Sequence, residues 1–77
     1  MSIVPILKSR ELVKILFKVG FRIVRQTGSH VRLKHILDPL RQTTVPLHNK
    51  DIPLWLLRAI LKQTKISIEE LLKLLAK

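Results

Sequence analysis

Apolar positions in the first part of the chain return at helical intervals. Leu12, Val13, Leu16 and Phe17 lead toward Gly20, with Ile15 and Val19 at the edges of the stripe, while Arg10, Lys14 and Lys18, four apart, fall on the opposite side. Ser9 can cap this helix, Glu11 suits its first turn and Gly20 marks its end. From Phe21 the period changes to two. Phe21 and Ile23 alternate with Arg22 and Val24, "QTG" supplies a turn around Thr27 and Gly28, and Val31, Leu33 and His35 then alternate with His30, Arg32 and Lys34. Asp38 and Pro39 mark another turn, and "QTTV" is a short third strand that ends at Pro46.

After "PLHNKDI" the helical period resumes. Pro53 is compatible with the first turn of a helix reaching about Gln63, and Leu54, Leu57, Ile60 and Leu61 mark its buried stripe. In "ISIEELL", Ser67 and Glu70 form a capping box with Ile66 and Leu71 at the staple positions, so a last helix spans about residues 68–76. Its Leu71, Leu72, Leu74 and Leu75 complete the core or meet a partner. The expected fold is α+β: a three-stranded antiparallel sheet packed against helices, in the order α-β-β-β-α-α, as one domain over residues 1–77. One sheet face is then left to water or ligand.

Composition narrows what such a fold can do. Seventy-seven residues, 47% apolar with one Trp, two Phe and no Tyr, allow one modest core of Leu, Ile and Val and no deep cofactor cleft. Any active site must be shallow. The lack of Cys excludes a disulfide framework, a thiol nucleophile and cysteine-based metal sites. The N-terminal apolar run is too short for a membrane span or a usual secretory leader, so the expected location is cytoplasmic, with no membrane partner. Fifteen Lys and Arg against five Asp and Glu give a net charge of +10, which draws in a polyanion. Nucleic acid is the first candidate, and anionic lipid or an acidic protein responds to the same field.

The three histidines are the side chains that titrate nearest neutral pH. His30 and His35 are five apart on one strand and point to opposite faces, no HExxH pattern occurs, and the acidic residues are scattered among turns and helix starts. Neither a metal site nor a paired-carboxylate mechanism is expected. His30 shares its strand face with Arg32 and Lys34, where catalysis, a phosphate contact and an ordinary exposed histidine are all open readings. His48 stands in a loop before a helix, and His35 belongs at the edge of the core. Gly28 is suited to turn geometry at positive φ, and beside Ser29 it also lets backbone N–H groups approach a phosphate.

Taken together, the segments resemble the HicA family of toxin ribonucleases from prokaryotic toxin–antitoxin pairs. The resemblance rests on "GFRIVRQTGSH" from Gly20 to His30, "VPLH" from Val45 to His48 and "LRAILKQ" from Leu57 to Gln63, and covers about residues 7–68. Two family glycines are missing, one before the "LRxIL" helix and one after it: "DIPLWLLR" and "QTKIS" contain neither, and "HILDPLRQ" is less polar than in the family. The resemblance implies a fold similar to double-stranded RNA-binding domains and a metal-free, cofactor-free endoribonuclease acting on single-stranded or messenger RNA. It makes His30 the catalytic residue and His48 a candidate for a second acid or base or for a substrate contact. With the residues around His30, it suggests Arg25, Gly28, Ser29, Arg32 and Lys34 as RNA-binding groups. The implied partners are RNA and a HicB-type antitoxin, with contact to DNA only through the antitoxin complex. The first helix's exposed face and the Leu-rich last helix are candidate antitoxin contacts. Two other readings stand beside this one: a non-catalytic RNA-binding module using shape and phosphate contacts, and a helix-turn-helix over residues 54–76, which would leave the strands without a role.

Overall fold

The structure, a computed structural model, describes residues 4–76. Helix α1 (Ser9–Val19) leads into strands β1 (Phe21–Thr27), β2 (His30–His35) and β3 (Gln42–Pro46), followed by helices α2 (Leu54–Thr64) and α3 (Ile68–Leu75). The strands form one antiparallel sheet in the order β1-β2-β3. This is the expected α+β architecture.

The core forms where helix stripes meet the inward side of the sheet. Phe21, Val31, Leu33 and Val45 project from the strands and meet Leu12, Ile15 and Leu16 of α1, Leu57, Ile60 and Leu61 of α2, and Leu71 of α3. Burial of apolar area at roughly 25 cal/mol per Å² makes this cluster the main source of stability. The buried polar side chains have partners: Thr43 Oγ1 donates to Gln63 Oε1 (2.6 Å), and Thr64 Oγ1 donates to the Ile60 carbonyl (2.8 Å).

Several local expectations are corrected. Ser9 does not cap α1. Lys8 is the N-cap, its N–H donating to Glu11 Oε1 at 3.0 Å, while buried Ser9 donates through Oγ to the Pro46 carbonyl at 2.5 Å. Ser9 therefore ties the helix start to the end of β3. Ile15 is fully inside the stripe, whereas Phe17 is partly exposed. Pro53 is the N-cap of α2, outside its first turn, and Thr64 replaces Leu54 in the buried stripe. Leu54, the first residue of the helix, is exposed. Ser67 caps α3 as expected, with Glu70 N–H donating to Ser67 Oγ at 3.0 Å and with Ile66 and Leu71 buried, while the return bond from the Glu70 side chain that would complete a capping box is not among those the described residues make.

Two residues end helices in the left-handed region. Gly20 has φ 113°, and a Cβ there would stand 2.9 Å from His35 Nε2. Lys65 has φ 58° and closes α2 without the glycine that would adopt this conformation more easily. Arg22 and Arg41 serve the same helix ends. Arg22 donates to the Phe17 and Phe21 carbonyls (3.2 and 2.6 Å), and Arg41 Nε donates to the Thr64 carbonyl (2.7 Å) while its guanidinium lies over the Phe21 ring. Among the described residues no helix is long and apolar enough to cross a membrane.

Candidate functional site

Helices cover one side of the sheet, and its other side carries the site. Cross-strand partners share a face, so Thr27, His30 and Pro46 form one row, Arg25, Arg32 and Thr44 the next, and Arg22, Lys34 and Gln42 the third. Arg25 belongs there only because β1 is bulged. Counted in twos from buried Phe21, position 25 falls on the helix side, but the register slips between Ile23 and Arg25 and turns Arg25 outward opposite Arg32. The bulge exposes Ile23 and Val24 along the sheet edge instead of burying Ile23 fully.

The resulting cleft, about 210 Å³, is lined by Arg25, Thr27, His30, Arg32 and Thr44. Arg32 is held in place from β3: one guanidinium nitrogen donates to Thr44 Oγ1 at 3.1 Å and another to Gln42 Oε1. Two of its five N–H donors are thereby used, leaving others to face the cleft. Sequence reasoning missed Thr27, Gln42 and Thr44; the last two alternate with the buried pair Thr43 and Val45, and that alternation is the signal that marks them as outward. His30 is exposed, and its ring makes no hydrogen bond among the described residues.

The turn before His30 is Gly28–Ser29, one residue later than the expected centre at Thr27 and Gly28, since Thr27 still pairs with His30. Gly28 has φ 58° and Ser29 is not left-handed, the glycine-first pattern of a type II′ hairpin. No side-chain atom would obstruct a Cβ at Gly28, so its backbone conformation is what requires glycine. The Ser29 carbonyl accepts from Leu47 N–H at 2.5 Å, while among the described residues no backbone carbonyl accepts from the Gly28 or Ser29 N–H. Two adjacent free N–H groups at a turn suit an anion.

Charge on this face is uncompensated. Arg25 lies opposite Arg32 and Arg22 opposite Lys34, like-charge pairs that destabilise a sheet in the absence of a counter-charge. The one ion pair among the described residues, Lys8 with Asp51 at 3.9 Å, is elsewhere and solvent-exposed. Of the expected RNA contacts, Arg25 and Arg32 line the cleft with His30, Gly28 and Ser29 adjoin it, and Lys34 is two residues farther along β2 and half-buried.

The other two histidines are placed differently. His35, at the far end of β2, stands edge-on to Phe21 with ring centroids 5.2 Å apart. Its Nδ1 accepts from the Leu37 and Asp38 N–H groups (3.1 and 3.3 Å), which assigns the proton to Nε2, 3.0 Å from the Val19 carbonyl. His48 lines a separate hollow with Lys8, Arg10, Glu11 and Asn49 and is absent from the His30 cleft. Among the described residues no group of three or more His, Asp or Glu side chains is arranged to hold a metal ion.

Comparison with known families gives a match over most of the fold. The profile of a family described as "HicA toxin of bacterial toxin-antitoxin" matches residues 9–66, most of the chain. The protein belongs to the HicA toxin family. No curated protein matches it at a significant level. The HicA match begins at the first residue of α1 and ends two residues before α3 starts, so it contains the bulged β1, the Gly28–Ser29 turn, every residue lining the His30 cleft, and His48. The order of helices and strands is that of a double-stranded RNA-binding-domain-like fold, and membership of this toxin family is consistent with nuclease activity.

Proposed function

We propose that the protein is a toxin endoribonuclease that cuts single-stranded or messenger RNA without a metal, with His30 as its proton-transfer group. The observation that carries this reading is the unpartnered His30 imidazole in a cleft between Arg25 and Arg32, on a face with no carboxylate to balance the cations.

RNA carries its own nucleophile beside each phosphodiester. As the 2′-oxygen bonds to phosphorus, the P–O5′ bond breaks, the 2′-hydroxyl loses a proton and the leaving O5′ gains one. His30 performs one of these transfers and water the other; an imidazole ring can both accept and donate a proton, so it suits either step, and the contribution is roughly 10²–10⁴-fold. The products are a 2′,3′-cyclic phosphate and a 5′-hydroxyl. Arg25 and the positioned Arg32 oppose the charge that develops on the phosphorane, and the free Gly28 and Ser29 N–H groups hold a phosphate oxygen. Lys34 supplies longer-range attraction. No step requires a cofactor.

Family membership supports a HicB-type antitoxin as the protein partner, which silences the toxin by covering the His30 face and excluding RNA. Contact with DNA then arises only through that complex.

The test is incubation of purified protein with single-stranded RNA in excess EDTA, beside a His30→Ala variant, with determination of the product ends. Cleavage by the original alone, leaving cyclic phosphates, is the expected result. If both proteins bind RNA equally and neither cuts it, the activity is that of a non-catalytic RNA-binding module.

A further inference from the structure

The larger hollow of the molecule is not the one that holds His30. It measures about 620 Å³ and is lined by Lys8, Arg10, Glu11, His48 and Asn49, and a smaller recess beside it shares Arg10, His48 and Asn49 and adds Leu47. Its walls are tied together by one backbone and one side-chain bond: Ile52 N–H donates to the Leu7 carbonyl at 2.8 Å, and Lys8 Nζ donates to the Asn49 carbonyl at 3.3 Å. Glu11, its acidic member, is engaged by the Lys8 N–H. Arg10 makes no ion pair among the described residues, and the exposed His48 ring makes no hydrogen bond. The hollow thus offers a free guanidinium, a free aromatic ring, an amide and an apolar recess.

Its position connects it to the His30 cleft. Pro46 pairs with His30, Leu47 is bonded to Ser29, and His48 comes next. Two residues of extended chain reach at most about 7 Å, and antiparallel partners lie about 4.5–5.5 Å apart. The Cα atoms of His30 and His48 are therefore within roughly 13 Å of each other. That bound, with no lining residue shared between the two hollows, suits neighbouring positions on one RNA strand. Single-stranded bases are recognised by stacking on rings such as histidine, with phosphates on arginine.

We propose that this hollow is a nucleotide subsite for RNA flanking the scissile bond, where His48 stacks on an unpaired base and Arg10 holds the adjoining phosphate. His48 is then a positioning residue for substrate and not the second proton carrier. This inference rests on RNA being the ligand of the His30 face.

The experiment measures binding of a labelled single-stranded RNA decamer to full-length protein carrying His30→Ala, which prevents cleavage. Adding His48→Ala weakens binding roughly tenfold to a hundredfold, the range of one lost base stack, while His48→Phe keeps it. Arg10→Ala lowers the salt slope of log K by about 0.7, as one lost phosphate contact on a single strand requires. Arg58→Ala, on the exposed part of α2, provides the charge-matched comparison. The proposal is overturned if His48→Ala binds normally, if His48→Phe is as weak as His48→Ala, or if Arg58→Ala changes affinity and slope as much as Arg10→Ala. In protein retaining His30, His48→Phe keeps kcat; its loss there would make His48 a proton carrier and end the subsite reading. A lack of cleavage by the unaltered protein, with the decamer pattern intact, would instead defeat the ribonuclease reading alone.

Discussion

The two ends of β2 carry the same side chain in opposite circumstances. The His35 ring is fixed by the Val19 carbonyl, by two backbone N–H groups and by a T-shaped contact with Phe21, whereas the His30 ring is exposed and has no hydrogen-bond partner among the described residues. Around His35, Gly20, Arg22 and Arg41 close the ends of helices α1 and α2; around His30, Arg25 and Arg32 face each other without a counter-charge. One end has its polar groups satisfied internally. The other keeps them available, at some cost in sheet stability, and that contrast supports the proposal of His30 as the chemical histidine and His35 as the structural one.

The strongest way to break the comparison is to exchange the expected phenotypes. His30→Ala should lower RNA cleavage roughly 10²–10⁴-fold and leave the melting temperature essentially unchanged. His35→Ala should do the reverse, with destabilisation of about 2 kcal/mol from the lost hydrogen bonds and aromatic contact, and unchanged turnover by the fraction that remains folded. Parallel thermal melts and single-turnover cleavage check both; a stability loss at His30, or a turnover loss at His35 in folded protein, would erase the distinction.

Gly20 sharpens the same contrast from the other side of the ring. Its φ of 113° penalises any side chain, and the nearest atom to an added Cβ is His35 Nε2, at 2.9 Å. Gly20→Ala should therefore cost about 1–2 kcal/mol from the backbone alone and more if the imidazole cannot move. In the double variant with His35→Ala the steric part vanishes, so the two losses should sum to more than the measured total. Strict additivity in a denaturant titration would mean that the ring and the glycine do not meet.

Arg25 tests whether the open end pays in stability for its charge. Arg25→Thr removes the like-charge pair with Arg32 and puts a β-favouring residue on an edge strand. Stability should rise by a few tenths of a kcal/mol, within the usual range for cross-strand pairs, while RNA affinity and its salt dependence both fall. A variant that loses stability would show that Arg25 has a packing role.

Most of this division could be read in the chain, and the parts that could not have specific causes. The glycine at position 20, the Ser67 cap and the alternation from His30 to His35 act through local backbone chemistry, so elements and their order follow from them. Arg25's direction does not, because counting in twos assumes unbroken pairing and the bulge at β1 is a property of the pair. Gln42 and Thr44 could be placed outward but not beneath the Arg32 guanidinium, which takes the register of β3 on β2. Ser9 looks like a cap from its neighbours alone; its real acceptor, the Pro46 carbonyl, lies thirty-seven residues away. For the same reason the relation of His48 to His30 depends on where Pro46 docks.

The smallest expected effect comes from Lys65, at the edge of the closed end. Arg41 links the two regions there: its carbonyl accepts from His35 N–H at 2.9 Å and its side chain donates to the Thr64 carbonyl, one residue before Lys65. Lys65 holds φ 58° without glycine, a conformation costing a non-glycine residue about 1–2 kcal/mol. Lys65→Gly removes that penalty but gives the unfolded chain more freedom, about 0.5–1 kcal/mol in the opposite direction. The net gain should be near 0.5 kcal/mol, or about 2–4 °C in Tm for a domain of this size. Because the relief falls at the closed end, the rate of RNA cleavage should not change. A rate that shifts with Lys65→Gly would mean that the two ends of β2 are coupled, and the separation between a structural and a chemical histidine would have to be replaced by a single responsive strand.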